Sequence, residues 1–395
     1  MSKSMTLLGQ DGATMRNFPS RPLLFLSRVS VIPALAGEKD VMTILLPGLL
    51  IGAALGYVLQ RGRFCINTAF RDVLLLRDTT LLRAWAMALV IQIVGVQFFI
   101  SLHLFVPDVP PFFWVANVFG GLVFGTGMVL AGGCGSGTCY RVGEGMIGSL
   151  IALLGFGLAT VATDVGALKP LQDLLRAQLV QINGEAPRLA TVTGLNVWMW
   201  IAFLVIPVII WLWRSGPSPF QHGWSWKATG FALGVISLSA WLSSSASGRA
   251  YGLSITGPIR SLFEFVTTGD FRLLDWGSYL LIGLFVGSFL AARLYGEAKL
   301  RLPQAGRTLQ ALAGGLLMGF GAQVAGGCNI GHSFTGLSVL ALSSVTTTAF
   351  IIIGAWIASF FLFMDGFEKL KRRMRKPAKN SALPITSEAK EKIGA

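Results

Sequence analysis

One phrase of the sequence occurs twice, and it constrains the fold more than any other feature. Residues 121–134 read GLVFGTGMVLAGGC, and residues 315–328 read GLLMGFGAQVAGGC. In each copy an apolar, glycine-rich helix runs into Ala-Gly-Gly-Cys and then into small and polar residues. Hydrophobic helices that are interrupted at corresponding places of two halves of a chain are typical of discontinuous membrane helices around a transport site.

The composition indicates a membrane protein. Of the 395 residues, 53% are hydrophobic and only 13% are charged, and the mean hydropathy is +0.66. Soluble domains carry about 25% charged residues, and a chain this apolar satisfies its backbone in lipid by forming a helical bundle. The net charge of +14 does not indicate nucleic acid, because the Lys and Arg residues cluster at the ends of apolar stretches, where they set membrane orientation. The lipid bilayer is therefore the expected surroundings, and no nucleic acid is expected as a partner.

The apolar pattern predicts an all-α, polytopic fold. Nine stretches have about the 20 residues that cross a bilayer; they are 41–60, 84–105, 112–132, 145–163, 196–213, 226–244, 275–294, 308–326 and 345–364. Four intervening stretches begin with Gly or Gly-Cys and are too short or too polar to cross alone. They are predicted to be half-helices, at 62–76, 134–144, 248–266 and 328–340.

The first four and the last four spans match as repeats. Gly48 and Gly52 align with Gly230 and Gly234, and GRF-CINT aligns with GRAYGLSIT. Because one span links the halves, we expect them to be inverted relative to each other, which is transporter architecture; a wrong span count would instead give two parallel copies. The predicted divisions are a leader at 1–40, a first membrane repeat at 41–163, an external segment with the linking span at 164–225, a second membrane repeat at 226–366 and a basic tail at 367–395. The leader is expected to be disordered, a cleaved signal or an over-long start.

Positive charge predicts the orientation of the chain. Six basic residues follow the last span and place the C-terminus in the cytoplasm; they are Lys369, Lys371, Arg372, Arg373, Arg375 and Lys376. The connections 107–111 and 164–196 then lie outside the cell, and they are poorer in positive charge.

The predicted half-helices favour an anion as the ligand. A half-helix that starts within the membrane aims unpaired N–H groups and about half a positive charge at its surroundings. Two such ends make an anion site without a fixed Lys or Arg. A thiol at such an end is a weak donor with a soft, polarizable sulfur, which suits a sulfur-bearing anion better than a carboxylate or phosphate.

The candidate transport residues lie at these breaks. They are Cys65, Cys134, Cys328, Gly133, Gly327, Asn67, Asn329 and His332. The alternative interpretation is that each cysteine is only a small residue that packs in the bundle. For Cys139 the packing role and the transport role have equal weight. His332 follows Cys328 by four residues, which allows a Cys–His pair on one helix face. No histidine follows Cys134 in the same way, so a structural histidine with satisfied hydrogen bonds is favoured.

The sequence predicts neither an enzyme nor a cofactor. The four cysteines form no CxxC and no zinc-finger spacing, so neither a disulfide framework nor a metal site is expected. No nucleotide-binding G-x-x-x-x-G-K-[ST] phrase occurs. We therefore expect no metal ligands and no catalytic residues.

Three segments of the chain resemble a known family. Residues 61–72 (RGRFCINTAFRD), 131–145 (AGGCGSGTCYRVGEG) and 325–337 (AGGCNIGHSFTGL) resemble signature segments of the YeeE/YedE family of sulfur-transport membrane proteins. The resemblance covers nearly the whole chain after about residue 41. It implies a helical inner-membrane protein of inverted halves that takes up thiosulfate.

The resemblance also implies a mechanism. Cysteines along an hourglass-shaped path pass thiosulfate on through S–H contacts with its sulfur, and by motif these are Cys65, Cys134 and Cys328. A small cytoplasmic sulfur-carrier protein of the TusA-like type is the implied partner. Two other functions stay open: a membrane thiol oxidoreductase that exchanges disulfides, and a small-anion channel in which the cysteines are incidental.

Overall fold

The computed structural model describes residues 38–216 and 223–364. Within these ranges nine helices are long and apolar enough to cross a membrane, and the described sheet consists of two strands of two residues each. The protein is therefore an all-α, multi-pass membrane protein, as its composition predicts. Residues 1–37 of the expected leader and the basic tail at 367–395 lie outside the described residues.

The first half contains six helices, of which two are short. They are α1 (Glu38–Arg61), α2 (Ile66–Leu75), α3 (Thr80–Ser101), α4 (Trp114–Leu130), α5 (Gly135–Gly143) and α6 (Ile147–Asp164). The predicted spans agree with the long helices to within four residues. Both ends of α3 differ most, by four residues. The helix starts early, at Thr80, where the Asp78 carboxylate accepts hydrogen bonds from the backbone N–H of Thr80 at 2.8 Å and from its hydroxyl at 2.6 Å.

A connecting segment, residues 165–196, joins α6 to the linking span. It contains α7 (Lys169–Leu175), α8 (Leu189–Thr193) and the strand β2 (Leu179–Val180), which pairs antiparallel with β1 (Phe112–Phe113) just before α4. The linking span is α9 (Val197–Arg214), which packs against α3 and fully buries only Ile201 and Val205. This span therefore lies at the edge of the bundle, with most of its apolar surface facing outward.

The second half repeats the order of the first. Its elements are α10 (Trp226–Ala246), α11 (Thr256–Thr268), a 3-10 turn (Phe271–Leu273), α12 (Trp276–Leu294), α13 (Ala305–Ala325), a π-helix (Gly331–Gly336) and α14 (Leu342–Phe363).

The two half-helices of the second half differ in form from the prediction. The half-helix expected at 248–266 begins only at Thr256, because Arg249 donates to the carbonyls of Tyr251 and Gly252 at 3.0 and 2.9 Å and holds the preceding residues extended. The half-helix expected at 328–340 is widened into a π-helix at its centre, over Gly331–Gly336. Its small residues permit this, and π-helical turns occur frequently at functional sites.

Helix directions establish that the halves are inverted. Along α1 and α12, Gly48 lies against Trp276 and Gly56 lies against Leu284, so these helices run parallel. Their counterparts α10 and α3 also run parallel, since Gly230 lies against Ala84 and Gly234 against Ile91.

The counterparts α1 and α10, in contrast, run in opposite directions. Gly62, just after the end of α1, contacts Thr229 near the start of α10. At the other end of the pair, Trp276 packs on Gly48 and donates from its indole nitrogen to the Ser243 hydroxyl at 2.9 Å, near the end of α10. Two parallel copies would require α1 and α10 to point the same way, so the inverted repeat is confirmed.

Close backbone approach at small residues holds the bundle together. A Cβ at Gly52 would overlap the backbone of Leu280, and one at Gly315 would overlap the backbone of Ala152. In lipid, where apolar burial drives helix association little, such contacts are a main source of packing energy. The pair α4 and α13, which carries the repeated phrase, crosses in the same way at Gly120 and Gly127.

Candidate functional site

Two half-helices of the first repeat begin at a cysteine. Cys65 is the N-cap of α2 and Cys134 is the N-cap of α5, and both have extended backbone angles. Both side chains are fully buried. The predicted positions of these two thiols, at the start of half-helices within the bundle, agree with the structure.

The two thiols lie against each other. The Cys65 sulfur is 3.4 Å from the Cys134 sulfur, and it also accepts the backbone N–H of Cys134 at 3.4 Å. The Cys134 sulfur in turn accepts the backbone N–H of Gly137 at 3.3 Å and lies 3.5 Å from the Ser136 hydroxyl. A patch of soft sulfur, backbone N–H groups and a hydroxyl is thus concentrated at the positive end of α5.

Gly137 makes this close contact of the thiols possible. A Cβ at this residue would lie 2.5 Å from the Cys65 sulfur and 3.2 Å from the Cys134 sulfur. Gly135, one half-turn earlier, is different, because the nearest atom to a Cβ there is a methyl carbon of Ile255 at 3.6 Å. The glycine that the thiols require is therefore Gly137, which the sequence did not single out.

Cys328 lies apart from this pair. It follows the break at the end of α13, is fully buried, and accepts the backbone N–H of His332 through its carbonyl at 2.9 Å. Asn329, the next residue, is also fully buried.

His332 does not pair with the Cys328 thiol. Its Nε2 bonds the carbonyl of Ala325 at 3.2 Å, and its Nδ1 lies 3.0 Å from the Ser344 hydroxyl. Because a carbonyl only accepts, Nε2 carries the proton and Nδ1 accepts from Ser344. The structural histidine favoured by the sequence is what the structure contains.

The two candidate asparagines differ in which polar side-chain atom lacks a hydrogen bond. Asn67 donates from Nδ2 to the carbonyl of Met128 at 3.0 Å, and its buried carbonyl oxygen has no hydrogen-bond partner among the described residues. Asn329 accepts the backbone N–H of Ile330 at 3.1 Å through its own oxygen, and its buried Nδ2 has no partner in the described part of the chain. Asn329 is therefore the residue with an unused donor beside a thiol, whereas Asn67 closes a helix end.

Polar side chains satisfy the carbonyl groups at which the two broken helices end. At the end of α4, Arg141 donates to the carbonyl of Gly132 and Gln310 to that of Leu130 at 3.3 Å. At the end of α13, Asn117 and His332 both donate to Ala325, the former at 3.0 Å.

Arginine takes part at the second break as well. Arg176, from the connecting segment, donates from Nε to the carbonyl of Val324 at 3.0 Å and from Nη2 to that of Gln323. The sequence did not identify Arg141, Arg176 or Asn117 as site residues. Asn117 is a polar residue in an apolar span and could have been found, whereas the sequence position of Arg176 carries no such signal.

Gly133 and Gly327 leave room for these side chains. A Cβ at Gly133 would lie 2.8 Å from the Arg141 guanidinium, and a Cβ at Gly327 would lie 3.3 Å from the His332 ring. The preceding glycines of each phrase, Gly132 and Gly326, have left-handed backbone angles with φ of 73° and 88°. In each Gly-Gly pair the first glycine therefore turns the chain and the second admits the capping side chain.

A cluster of polar side chains lies at the other end of α5. The Gln60 amide donates to Glu144 at 3.2 Å and to Glu297 at 2.5 Å, and Arg63 pairs with Glu297 at 3.1 Å. Burial raises the pKa of Glu144 above its usual value. For Glu297, burial acts in the same direction, but the hydrogen bond from Gln60 and the charges of Arg63 and Arg61 outweigh it and hold the pKa below its usual value.

Comparison with known proteins identifies the family. The sequence model of the family described as Sulphur transport matches residues 61–357. The chain is 36% identical over 341 residues to the thiosulfate transporter TsuA of Escherichia coli, covering 82% of this chain and 96% of that protein. It is 39% identical over 329 residues to the thiosulfate transporter TsuA of Spirochaeta thermophila, covering 80% of this chain and 98% of that protein.

A more distant relative shares only part of the sequence. The probable transporter YedE of Salmonella typhimurium is 35% identical over 108 residues, which are 27% of this chain and 26% of that protein. With the family model matching most of the chain and two relatives aligned over nearly their full length, the chain belongs to the sulphur transport family of YeeE/YedE-type membrane proteins.

Proposed function

We propose that this protein takes up thiosulfate, or a closely related sulfur-containing anion, across the bacterial inner membrane. The observation that carries the proposal is the buried pair of Cys65 and Cys134, whose sulfurs are 3.4 Å apart at the start of half-helices. Two relatives named thiosulfate transporters, aligned over most of the chain, support the choice of substrate.

The chemistry of the pair suits such an anion. Thiosulfate has a soft terminal sulfur and three hard oxygens, so S–H donors match one end and backbone N–H groups match the other. Weak donors and helix dipoles at the thiols hold an anion loosely enough for release. Transport of this kind leaves the substrate unchanged, so the protein acts as a transporter and not as an enzyme.

We propose that the anion passes Cys328 first, then Cys134 and finally Cys65. The buried Nδ2 group of Asn329, the residue after Cys328, supports this route, because it has no hydrogen-bond partner among the described residues and offers a donor to the anion. In this direction Cys328 faces the outside of the cell, and the basic tail after residue 366 lies in the cytoplasm. A TusA-like sulfur carrier would receive the anion on the cytoplasmic side; this partner is proposed from the family resemblance alone.

Growth on thiosulfate tests the proposal. A bacterium that lacks sulfate and thiosulfate uptake is supplied with this protein and with thiosulfate as its sole sulfur source. We expect growth with the unaltered chain and with Cys139→Ala, and no growth with Cys134→Ser despite equal amounts in the membrane. Growth with Cys134→Ser would favour an anion channel in which the thiols are incidental.

The separation of the two sulfurs also supports a second candidate, a membrane thiol oxidoreductase. Thiols 3.4 Å apart need little movement to reach the S–S bond length of about 2.0 Å. Such an enzyme would exchange a disulfide with a partner thiol during each turnover. Trapping distinguishes the two functions: a mixed disulfide between Cys65→Ala protein and a cellular partner would support the oxidoreductase, whereas a transporter forms none.

A further inference from the structure

The C-terminal end of each broken helix places negative charge at the site. The last carbonyl groups of α4 and α13 lie at the same breaks at which the following segments begin. The C-terminal end of a helix carries the equivalent of about half a negative charge. Unless that charge is neutralised, it repels the anion that the following N–H groups attract.

At the first break, the neutralising arginine comes from the half-helix itself. Arg141 lies in the last turn of α5 and folds back so that its guanidinium donates to the carbonyl of Gly132. Gly133 provides the space for it. The break that ends in Cys134 therefore has its own positive charge on the carbonyl side.

At the second break, the equivalent charge comes from elsewhere in the chain. The segment after Cys328 reads NIGHSFTGLS and contains no arginine or lysine. The guanidinium there belongs to Arg176, which donates to the carbonyls of Val324 and Gln323. Its Nη2 is 3.6 Å from the place that a Cβ on Gly326 would occupy.

The connecting segment is built to hold Arg176 in this position. Gln172, one turn earlier in α7, is almost fully buried. In the amide orientation that satisfies both of its polar atoms, its oxygen accepts from Nη1 of Arg176 at 3.0 Å and its nitrogen donates to the carbonyl of Thr163 at 2.6 Å. The guanidinium lies 5.6 Å from the ring of Phe113, on the strand that pairs with β2. Further along, the backbone N–H of Leu342 donates to the carbonyl of Pro187 at 3.0 Å and ties the segment to α14.

We propose that Arg176 is a positioning residue for the transported anion, and that the connecting segment supplies the charge that the second break lacks. By neutralising the carbonyl end of α13, Arg176 leaves the break at Cys328 attractive to a dianion. The inference rests on the proposed function. In the proposed orientation Arg176 lies on the outer side, so its charge acts on substrate capture.

Three variants of one segment test this role. Arg176→Gln keeps a donor for the carbonyls and removes the charge, and Arg176→Lys keeps the charge. Lys169→Gln removes a half-exposed charge that pairs with Asp173 in the same helix. Initial rates of radiolabelled thiosulfate uptake are measured over a range of concentrations, with the amount of folded protein determined for each variant.

We expect Arg176→Gln to raise KM by about tenfold with nearly unchanged Vmax per folded protein, because a charge near the anion is lost while the later steps remain. Arg176→Lys should restore most of the affinity, and Lys169→Gln should behave like the unaltered protein. An unchanged KM in Arg176→Gln, or an equal loss in Arg176→Lys, would overturn the role of the charge while the proposed function stands. Absence of uptake by the unaltered protein would instead overturn the proposed function, and this inference with it.

Discussion

The contact between the two thiols can be disturbed by one methyl group. Gly137→Ala places a Cβ 2.5 Å from the Cys65 sulfur and 3.2 Å from that of Cys134. Non-bonded heavy atoms are most stable at about 3.5–4.0 Å, so the Cys65 sulfur has to move by about 1 Å. We expect that movement to break the S–H contact of 3.4 Å between the thiols.

The fold should tolerate the substitution. Overpacking costs about 1–3 kcal/mol, and replacing glycine by alanine within a helix returns about 0.5–1 kcal/mol. The difference is small beside a total stability of about 5–15 kcal/mol. Transport should suffer more, since displacing an aligned group by about 1 Å can cost up to about 100-fold in rate; we expect a loss of at least about tenfold.

The assay is the initial rate of labelled thiosulfate uptake in cells without their own thiosulfate transport. Gly135→Ala is the matched control, because it adds the same methyl to the same half-helix where the nearest atom is 3.6 Å away. Both variants are normalised to the amount of protein in the membrane. Equal uptake by Gly137→Ala and Gly135→Ala would refute the argument that contact between the thiols matters for transport.

Three further changes test the packing and electrostatics of the bundle by thermal unfolding in detergent. Asn117→Ala removes hydrogen bonds of 2.9 and 3.0 Å from a fully buried side chain to α14 and α13, and should destabilise the protein by about 1–3 kcal/mol; an unchanged Tm would contradict this. Glu297 has a pKa held below its usual 4.5, so its ionised form stabilises the fold above that pH, and this stability is lost as the pH falls through the lowered pKa. Glu297→Gln should therefore lower Tm at neutral pH and have progressively less effect below pH 4.5, and a difference that grows towards acid pH would show the opposite sign. Cys139→Ala should cost about 1 kcal/mol for one buried sulfur and leave uptake intact, whereas lost uptake would make Cys139 part of the path.

The fold could be predicted from the sequence because lipid imposes a simple rule. Each span needs about 20 apolar residues, and the glycine-rich phrases mark where two of the long helices break. The opposite orientation of the two halves was predicted from the number of spans, because one span links them. The π-helix at Gly331–Gly336 was not predictable, because its widening depends on close contacts, such as that of Gly336 with Ser344 of α14.

The site was predictable only in its local parts. The repeated phrase places Cys134 at the start of a half-helix, since the break and the cap are both local. Cys65 and Cys134, which contact each other, lie 69 positions apart in the sequence. Arg176 and the α13 carbonyl to which it donates lie 148 positions apart. Such contacts are set by the packing of whole helices, which periodicity does not encode. For His332 the sequence favoured a structural histidine because the other repeat lacks a matching one, and its hydrogen bonds to Ala325 and Ser344 agree with that interpretation.

Uptake by the purified protein tests the central claim most directly. The unaltered protein and Cys134→Ala are reconstituted into liposomes with equal protein content, and entry of radiolabelled thiosulfate is followed over time. Thiol-dependent transport predicts uptake above that of protein-free liposomes for the unaltered chain and loss of most of it for Cys134→Ala. Equal uptake by the two proteins would contradict the claim that the buried thiols carry the anion.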